Sequence, residues 1–427
     1  MVSWFLSLSR WRRLVVAGFA LLLVVHLVVI LHRRARQPGD FDVHREFGMR
    51  FLAGTSFENG GCFNYMPISS MYYAPLAMVP ATVAFLGRYL VALICLALTL
   101  KWLLELLPAN TSEQRRFLIV TLTLLFSLKY IIRDLDDGGP HLILLGMLVA
   151  GMQLLRRGKE LAGGFCFALA IVLKMTPGLL LPYLAWKRRW RLLLITTTAC
   201  IALIAAPALW LGPSLWWNCQ AQWNEVAFCV FSGRANTSME ENDLRVQNQS
   251  LKMAVMHGLV TYPEGHPLRG ASEIVSFFDL PPQQARLLAN LVMAGLLVVF
   301  SWHTRRADSG ATSFMPLELA GLCLLMVLLS PVTWVQHLVF AVPAVFFILA
   351  DGRRKPWPVQ IALAAYVILA LMLNREILGK EKYIFLLACH IHTVAMLILL
   401  GLVLWLRTRP GEVIDSAAEE RPLSRAA

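Results

Sequence analysis

Charge is scarce in this chain. Asp, Glu, Lys and Arg make up 15% of its 427 residues and hydrophobic types 58%, against about 25% and about 45–50% in a soluble domain. That ratio cannot build a water-facing shell around one core, so an ordinary soluble enzyme is excluded. Metal-binding cysteine patterns are missing too: the eight cysteines show no CxxC and no Cys/His ligand spacing. Cys95, Cys166, Cys200, Cys323 and Cys389 lie in apolar runs, where cysteine is a small hydrophobe. Cys219 and Cys229 share the longest polar loop, where a separation of ten residues permits a disulfide without requiring one. Long basic tracts suited to nucleic acid are also lacking. The formal charge of +13 is dispersed in short clusters between apolar runs, among them Arg10/Arg12/Arg13, Arg156/Arg157/Lys159, Lys187/Arg188/Arg189/Arg191, Arg305/Arg306, Arg353/Arg354/Lys355 and Arg407/Arg409. Such clusters mark the cytoplasmic loops of a membrane protein, and no nucleic-acid partner is expected.

Apolar length is what the chain has. Runs able to cross about 30 Å of hydrocarbon recur along it, for example Leu14 to Leu31, Leu192 to Leu211, Leu287 to Trp302, Ile361 to Leu373 and Ile384 to Leu406. In lipid every backbone amide must be paired internally, so these runs are helices. The first run is followed by His32-Arg33-Arg34-Ala35-Arg36 without a small-residue cleavage site, and reads as a retained helix rather than a signal peptide. The expected fold is an all-α polytopic membrane bundle of about 10–12 segments, short broken helices included. It forms one transmembrane domain over residues 1–410, with a long external loop at 212–283 and a disordered cytoplasmic tail at 411–427.

With the basic clusters in the cytoplasm, the other loops follow by parity, and both termini are expected inside. Residues 70–107 are too long for one simple span, so part of 66–86 should lie along or dip into the outer interface. Residues 161–186 are flanked by basic clusters on both sides, yet 26 residues cannot cross twice at about 1.5 Å per residue. Two half-length helices broken at Lys174-Met175-Thr176-Pro177 resolve this, since proline ends a helix and irregular backbone is tolerated only where protein or a cavity covers it. Parity then gathers the unusual polar segments on the outer face: Asp40 to Arg50, Asp134 to His141, Trp216 to Leu251, and Ser330 to His337. That convergence predicts one site there.

Each segment admits two readings. Asp40, Asp42 and His44 directly after a membrane helix can supply a general base at the headgroup plane, or can simply cap the next helix. The acids of Arg133-Asp134-Leu135-Asp136-Asp137-Gly138-Gly139-Pro140-His141 suit a metal or phosphate-metal site, or a solvated helix end; Gly138-Gly139 permits close backbone approach to a ligand. Lys174 sits in an apolar stretch where a charge costs about 2.5 kcal/mol or more, so it either snorkels or meets an anion at the helix break. His337 can bind phosphate or be structural, and Trp334 and the tryptophans near residues 210–223 suit sugar stacking and the lipid interface equally.

Taken together these segments resemble glycosyltransferase family 87, membrane enzymes of the GT-C superfamily that use polyprenyl-phosphate sugars. The motifs that carry the resemblance are Asp40-Phe41-Asp42-Val43-His44 with Leu52-Ala53-Gly54, Tyr65-Met66-Pro67 with Ala74-Pro75-Leu76, and Gly138-Gly139-Pro140-His141, where the family has Gly-Gln-x-Asn. They continue with Leu161-Ala162-Gly163 through Leu173-Lys174-Met175-Thr176-Pro177 to Lys187-Arg188-Arg189-Trp190, then Asn248-Gln249-Ser250-Leu251, and end with Ser330 to His337, which keeps only the second of the family's paired histidines.

The resemblance implies an inverting transfer of a hexose, usually mannose, from a polyprenyl-phosphate donor to a lipid or glycan acceptor hydroxyl at the outer face of the cell membrane. Asp40 would be the general base, and Lys174, His337 and Arg133 would bind the donor phosphate. Asp42, His44, Tyr65, Gly138, Gly139, His141, Asn248, Gln249 and Trp334 would line the donor and acceptor site. No metal and no cofactor beyond the lipid-linked sugar is expected; membrane lipids are the surrounding partners. A rival reading from the broken helix and intramembrane lysine is a lipid or solute transporter or flippase with its polar site around Lys174, against which stand the lack of a visible internal repeat and the outer-face clustering.

Overall fold

The computed structural model describes residues 9–34, 36, 39–56, 65–232 (side chains to 225), 246–261, 275–305 and 316–409. Every regular element among them is a helix. Five are long and apolar enough to cross a membrane: α1 (Arg10–Arg34), α4 (Ala81–Leu104), Trp190–Leu211, Pro282–His303 and Ile391–Thr408. A sixth span is available if α6 (Leu128–Asp137) and α7 (His141–Arg156), which meet at 116°, count as one broken crossing. The other apolar helices, α8 (Glu160–Leu173), Pro316–Leu328, Val335–Ala350 and Trp357–Met372, are shorter than the about 20 residues a full span needs. The architecture is a polytopic helical membrane protein that combines full spans with short and broken helices.

Burial is arranged for lipid. The outer helices expose large apolar side chains, such as Leu14, Leu21, Val24 and Val28 on α1 and Leu287, Leu291 and Val298 on Pro282–His303, which in water would be a large aggregation-prone patch. Pro316–Leu328 is apolar apart from Glu318 and buries every residue but Leu317, as a central helix of a membrane bundle does. Val342–Ala350 is packed nearly as completely.

The breaks matter most for function. α8 ends at Leu173; Lys174 is extended (φ −155°, ψ 123°). A 3₁₀ turn over Thr176–Leu179 with Pro177 at its start leads into α9 (Leu180–Trp186). Pro177 cannot donate to a helix ladder, and Ser69 Oγ takes over the carbonyl of Leu173 at 3.0 Å. Residues 66–86 form α3 (Pro67–Ala77), then Pro80 opens α4.

Three expectations are corrected. The stretch 116–133 is two helices, α5 (Glu113–Phe126) and α6, parted at Ser127. The span expected over 383–406 is broken at His390, which takes a left-handed φ of 52°. The long loop at 212–283 is partly helical, holding the helices Pro213–Ser232 and Leu251–Leu259. The expected tail at 411–427 and the Cys229 side chain lie outside the described residues.

Candidate active site

α2 (Asp40–Ala53) starts directly after α1 and is aimed by its first turn. Asp42 Oδ2 accepts from the Gly39 N–H at 2.7 Å, and Asp42 Oδ1 is ion-paired with Arg34 at 2.6 Å. Asp40 and Asp42 are about 200° apart on a helix, so with Asp42 turned to Arg34, Asp40 and His44 share the other side. Both line a cavity of about 480 Å³. His44 stacks on Tyr73 with ring centroids 5.0 Å apart and meets Tyr65 edge-on at 5.1 Å. Burial, reinforced by the charges of Lys174 and Arg88, pushes the His44 pKa down to about 3, so its ring is neutral at physiological pH. Tyr65 is raised, first by burial and then by the carboxylates of Asp137 and Asp40, and keeps its phenolic proton.

The opposite wall is the corner between α6 and α7. Gly138 ends α6 with φ +75°, a left-handed conformation that costs an L residue about 1–2 kcal/mol. A Cβ there would lie 2.6 Å from Phe41 Cβ, so glycine also lets α2 approach this closely. The corner brings Asp137, Gly139 and His141 to the cavity. Asp137 lies beside Asp40, within hydrogen-bonding reach, and accepts a hydrogen bond from Gln336.

Lys174 enters from the helix break. Its Nζ lies 2.6 Å from His141 Nε2 and 3.0 Å from His337 Nε2, and 5.5 Å from the Tyr65 ring centre. An ammonium has three donors, of which His141 takes one, and Lys174 lines the cavity. The 3₁₀ turn Val335–Ala341 supplies His337 and Gln336, and Trp334 just before it lines the same space. The wall beyond Lys174 is apolar: Met175, Leu179 and Pro182 face Leu325 and Met326 of Pro316–Leu328 and Leu329 just after it. A cavity with carboxylates and aromatics at one side, a buried cation in the middle and a hydrocarbon wall at the other suits a ligand with a sugar, a phosphate and an alkyl chain. Among the described residues no three His, Cys, Asp or Glu side chains are grouped as metal ligands.

The cavity thus collects Asp40, His44, Tyr65, Gly139, His141, Lys174, Trp334 and His337 of the residues singled out from the sequence. Five others stand apart. Asp42 caps α2. Arg133 pairs with Asp136 at 3.0 Å with its side chain half exposed. Gly138 shapes the corner. Asn248 accepts from the Thr333 N–H at 2.9 Å and donates to the Pro331 carbonyl at 3.0 Å, bracing the His337 segment from behind. Gln249 donates to the Leu387 carbonyl at 2.8 Å and accepts from the His392 N–H at 3.3 Å.

Sequence reasoning overlooked Arg88, which is 2% exposed. It reaches the Asp134 carboxylate at 3.1 Å and the carbonyl of Gly139, pinning the corner. The signal was present: a charge inside an apolar span is expensive wherever it occurs.

Two comparisons with known proteins bear on this site. The family description "Glycosyltransferase family 87" matches residues 63–331, which include Tyr65, the α6–α7 corner, the Lys174 break and Asn248. The chain is also 25% identical over 430 aligned positions to a Mycolicibacterium smegmatis protein, the "Polyprenol-phosphate-mannose-dependent alpha-(1-2)-phosphatidylinositol mannoside mannosyltransferase". That alignment covers 90% of this chain and 88% of the relative.

Proposed function

Because the chain belongs to glycosyltransferase family 87, we propose that it transfers a mannose from a polyprenyl-phosphate donor to a hydroxyl of a lipid or glycan acceptor at the outer face of the cell membrane, inverting the anomeric carbon. The mycobacterial relative is named for the same class of donor, and family membership makes the chain a membrane glycosyltransferase rather than the transporter that a broken helix alone would also suit. The observation that carries the reading is that Asp40 and Lys174 face one cavity of about 480 Å³ with an apolar wall beyond the cation.

The chemistry follows from the two charges. Asp40 accepts the proton of the acceptor hydroxyl as its oxygen attacks the anomeric carbon. The bond from that carbon to the phosphate oxygen breaks on the opposite face, and the electron pair leaves with the polyprenyl phosphate. A phosphate is already a stable anion, so the leaving group needs a held cation more than a proton. Lys174 supplies it, with His337 alongside; the prenyl chain follows the wall of Leu179, Pro182, Leu325 and Leu329. Tyr65 and Trp334 present aromatic faces to the sugar.

The test is transfer from radiolabelled polyprenyl-phosphate mannose to a lipid extract by the purified protein. Asp40→Asn keeps the shape and cannot take a proton at neutral pH; general-base assistance is worth about 10²–10⁴-fold, so transfer should fall by about 10² or more while donor binding survives. Asp42→Asn still accepts from Gly39 and should stay within about tenfold of the parent, since a cap change is worth about 1 kcal/mol. Full activity of Asp40→Asn would remove the base from this proposal.

A further inference from the structure

The Lys174 ammonium is held by imidazoles rather than by a carboxylate, and that arrangement needs explaining. A lysine buried at a helix break is usually steadied by an acid. Here its contacts at hydrogen-bond distance are His141 Nε2 at 2.6 Å and His337 Nε2 at 3.0 Å. An imidazole nitrogen can accept from an ammonium only if it carries a lone pair, which requires the ring proton to sit on the other nitrogen. For His141 the other nitrogen, Nδ1, lies 2.8 Å from Asp134 Oδ1. Asp134 is 0% exposed and His141 2%. The same carboxylate accepts from the backbone N–H groups of His141 and Leu142, both at 3.3 Å, and from Arg88 at 3.1 Å. Arg88 comes from a neighbouring membrane helix, α4, and also takes the carbonyls of Leu135 at 3.4 Å and of Gly139.

Resting on the reading of Lys174 as the donor-phosphate cation, we propose that Asp134 and Arg88 are positioning residues: Asp134 holds His141 in the Nδ1–H form whose Nε2 lone pair grips the Lys174 ammonium, and Arg88 holds Asp134. The relay runs Arg88, Asp134, His141, Lys174. No member upstream of Lys174 need touch substrate; together they decide whether a cation faces the phosphate. The neutral His141 imidazole serves better here than an acid, because a carboxylate on Lys174 would neutralise it and compete with the donor. With a neutral acceptor the positive charge remains available, and the one carboxylate of the relay is already matched by Arg88. If the Asp134 contact is altered to a donor, the His141 proton moves to Nε2, where N–H meets ammonium; Lys174 can then avoid the clash only by moving away or giving up a proton.

The experiment measures binding of farnesyl phosphate, a short polyprenyl phosphate, to the purified protein in detergent from pH 6 to pH 9. This probe needs no acceptor and no turnover. Lys174→Met should bind at least tenfold more weakly across the whole range. Asp134→Asn, whose amide can donate to His141 Nδ1, should lose at least tenfold at pH 8 with partial recovery towards pH 6, where solution protons restore the ammonium. Since Asp134→Asn leaves Arg88 buried beside a neutral amide and can fail to fold, the paired variant Arg88→Met/Asp134→Leu, which removes both charges together, should show the same pH-dependent loss, and His141→Gln, whose amide oxygen can accept from Lys174, should bind better than His141→Phe. Wild-type binding by Lys174→Met sinks the reading of Lys174 itself. Weak binding by Lys174→Met combined with wild-type affinity and pH dependence in the paired variant overturns the relay and leaves that reading standing.

Discussion

Three donors converge on Glu318: Tyr183 donates through its hydroxyl, Lys187 Nζ lies at 3.1 Å and Arg407 Nη2 at 2.7 Å. The glutamate is 1% exposed, so it ties the short helix α9 and the last span to the central helix without touching the cavity. Removing one partner of a buried ionic group costs about 3–5 kcal/mol, because the remaining charges stay desolvated. Lys187 and Arg407 retain some access to water, which places Glu318→Leu at about the lower bound of 3 kcal/mol. Thermal unfolding in detergent should show that loss, while transfer per folded molecule stays near the parent value. A matching loss of turnover would mean that Glu318 helps to shape the cavity. Single residues were unevenly legible. Lys174 and Arg88 are both charges in apolar sequence, but Lys174 stands three residues before a proline that already signals a break. Arg88 sits within an uninterrupted helix, where snorkelling is the default and its partner, 46 residues away, cannot be guessed from spacing.

Among elements, the first turn of α2 and the α6–α7 corner act as one unit, since Phe41, beside Asp40, packs against the glycine that ends α6. Arg45 fastens the middle of α2 by donating to the carbonyls of Leu76, Ala77 and Val79 at 3.3, 3.2 and 2.8 Å, the first two of which otherwise would be orphan acceptors at the end of α3. Gly138→Ala should therefore act on catalysis through α2: the left-handed backbone costs about 1–2 kcal/mol, and the new methyl must push Phe41, and Asp40 with it, away from the corner. The expected result is a drop in transfer of about tenfold or more for an ångström-scale misplacement, with farnesyl phosphate binding largely kept. Unchanged turnover would show that Asp40 tolerates the shift. The break at Lys174 was readable because proline marks it and the length arithmetic demands it. The breaks at Ser127 and His390 were not, since neither has a local cause. At His390 it is tertiary contacts that hold the chain: its Nε2 lies 2.7 Å from His257 Nδ1, and Thr393 and the His392 N–H bond to Gln249.

For the whole molecule, the expected two-sided distribution of residues can be compared with the folded packing. Lys187 and Arg407, from two basic clusters assigned to the cytoplasm, meet at Glu318; Arg157 pairs with Glu105 at 2.8 Å, and Arg115 reaches the carbonyl of Ala350 at 2.8 Å beside the Arg353 cluster. Asp40, the α6–α7 corner and the Ser330–His337 segment meet around the cavity instead. In a background without reactive cysteines, Asp279→Cys and Lys382→Cys should label with a membrane-impermeant thiol reagent in intact cells, whereas Lys159→Cys and Arg354→Cys should label only after permeabilisation. Outside labelling of Lys159→Cys would reverse the orientation proposed for the site. Sequence by itself determined the solvent, because a chain this poor in charge must satisfy its backbone with helices in lipid; it also determined the break at Pro177 and, through ordered motifs, the family. Only the tertiary structure decided that Asp40 and not Asp42 faces the cavity, that Asn248 and Gln249 brace rather than line it, and that Arg88 and Asp134 stand behind Lys174. Periodicity and composition report one residue's surroundings at a time, whereas a hydrogen-bond chain across three helices exists only once those helices have packed.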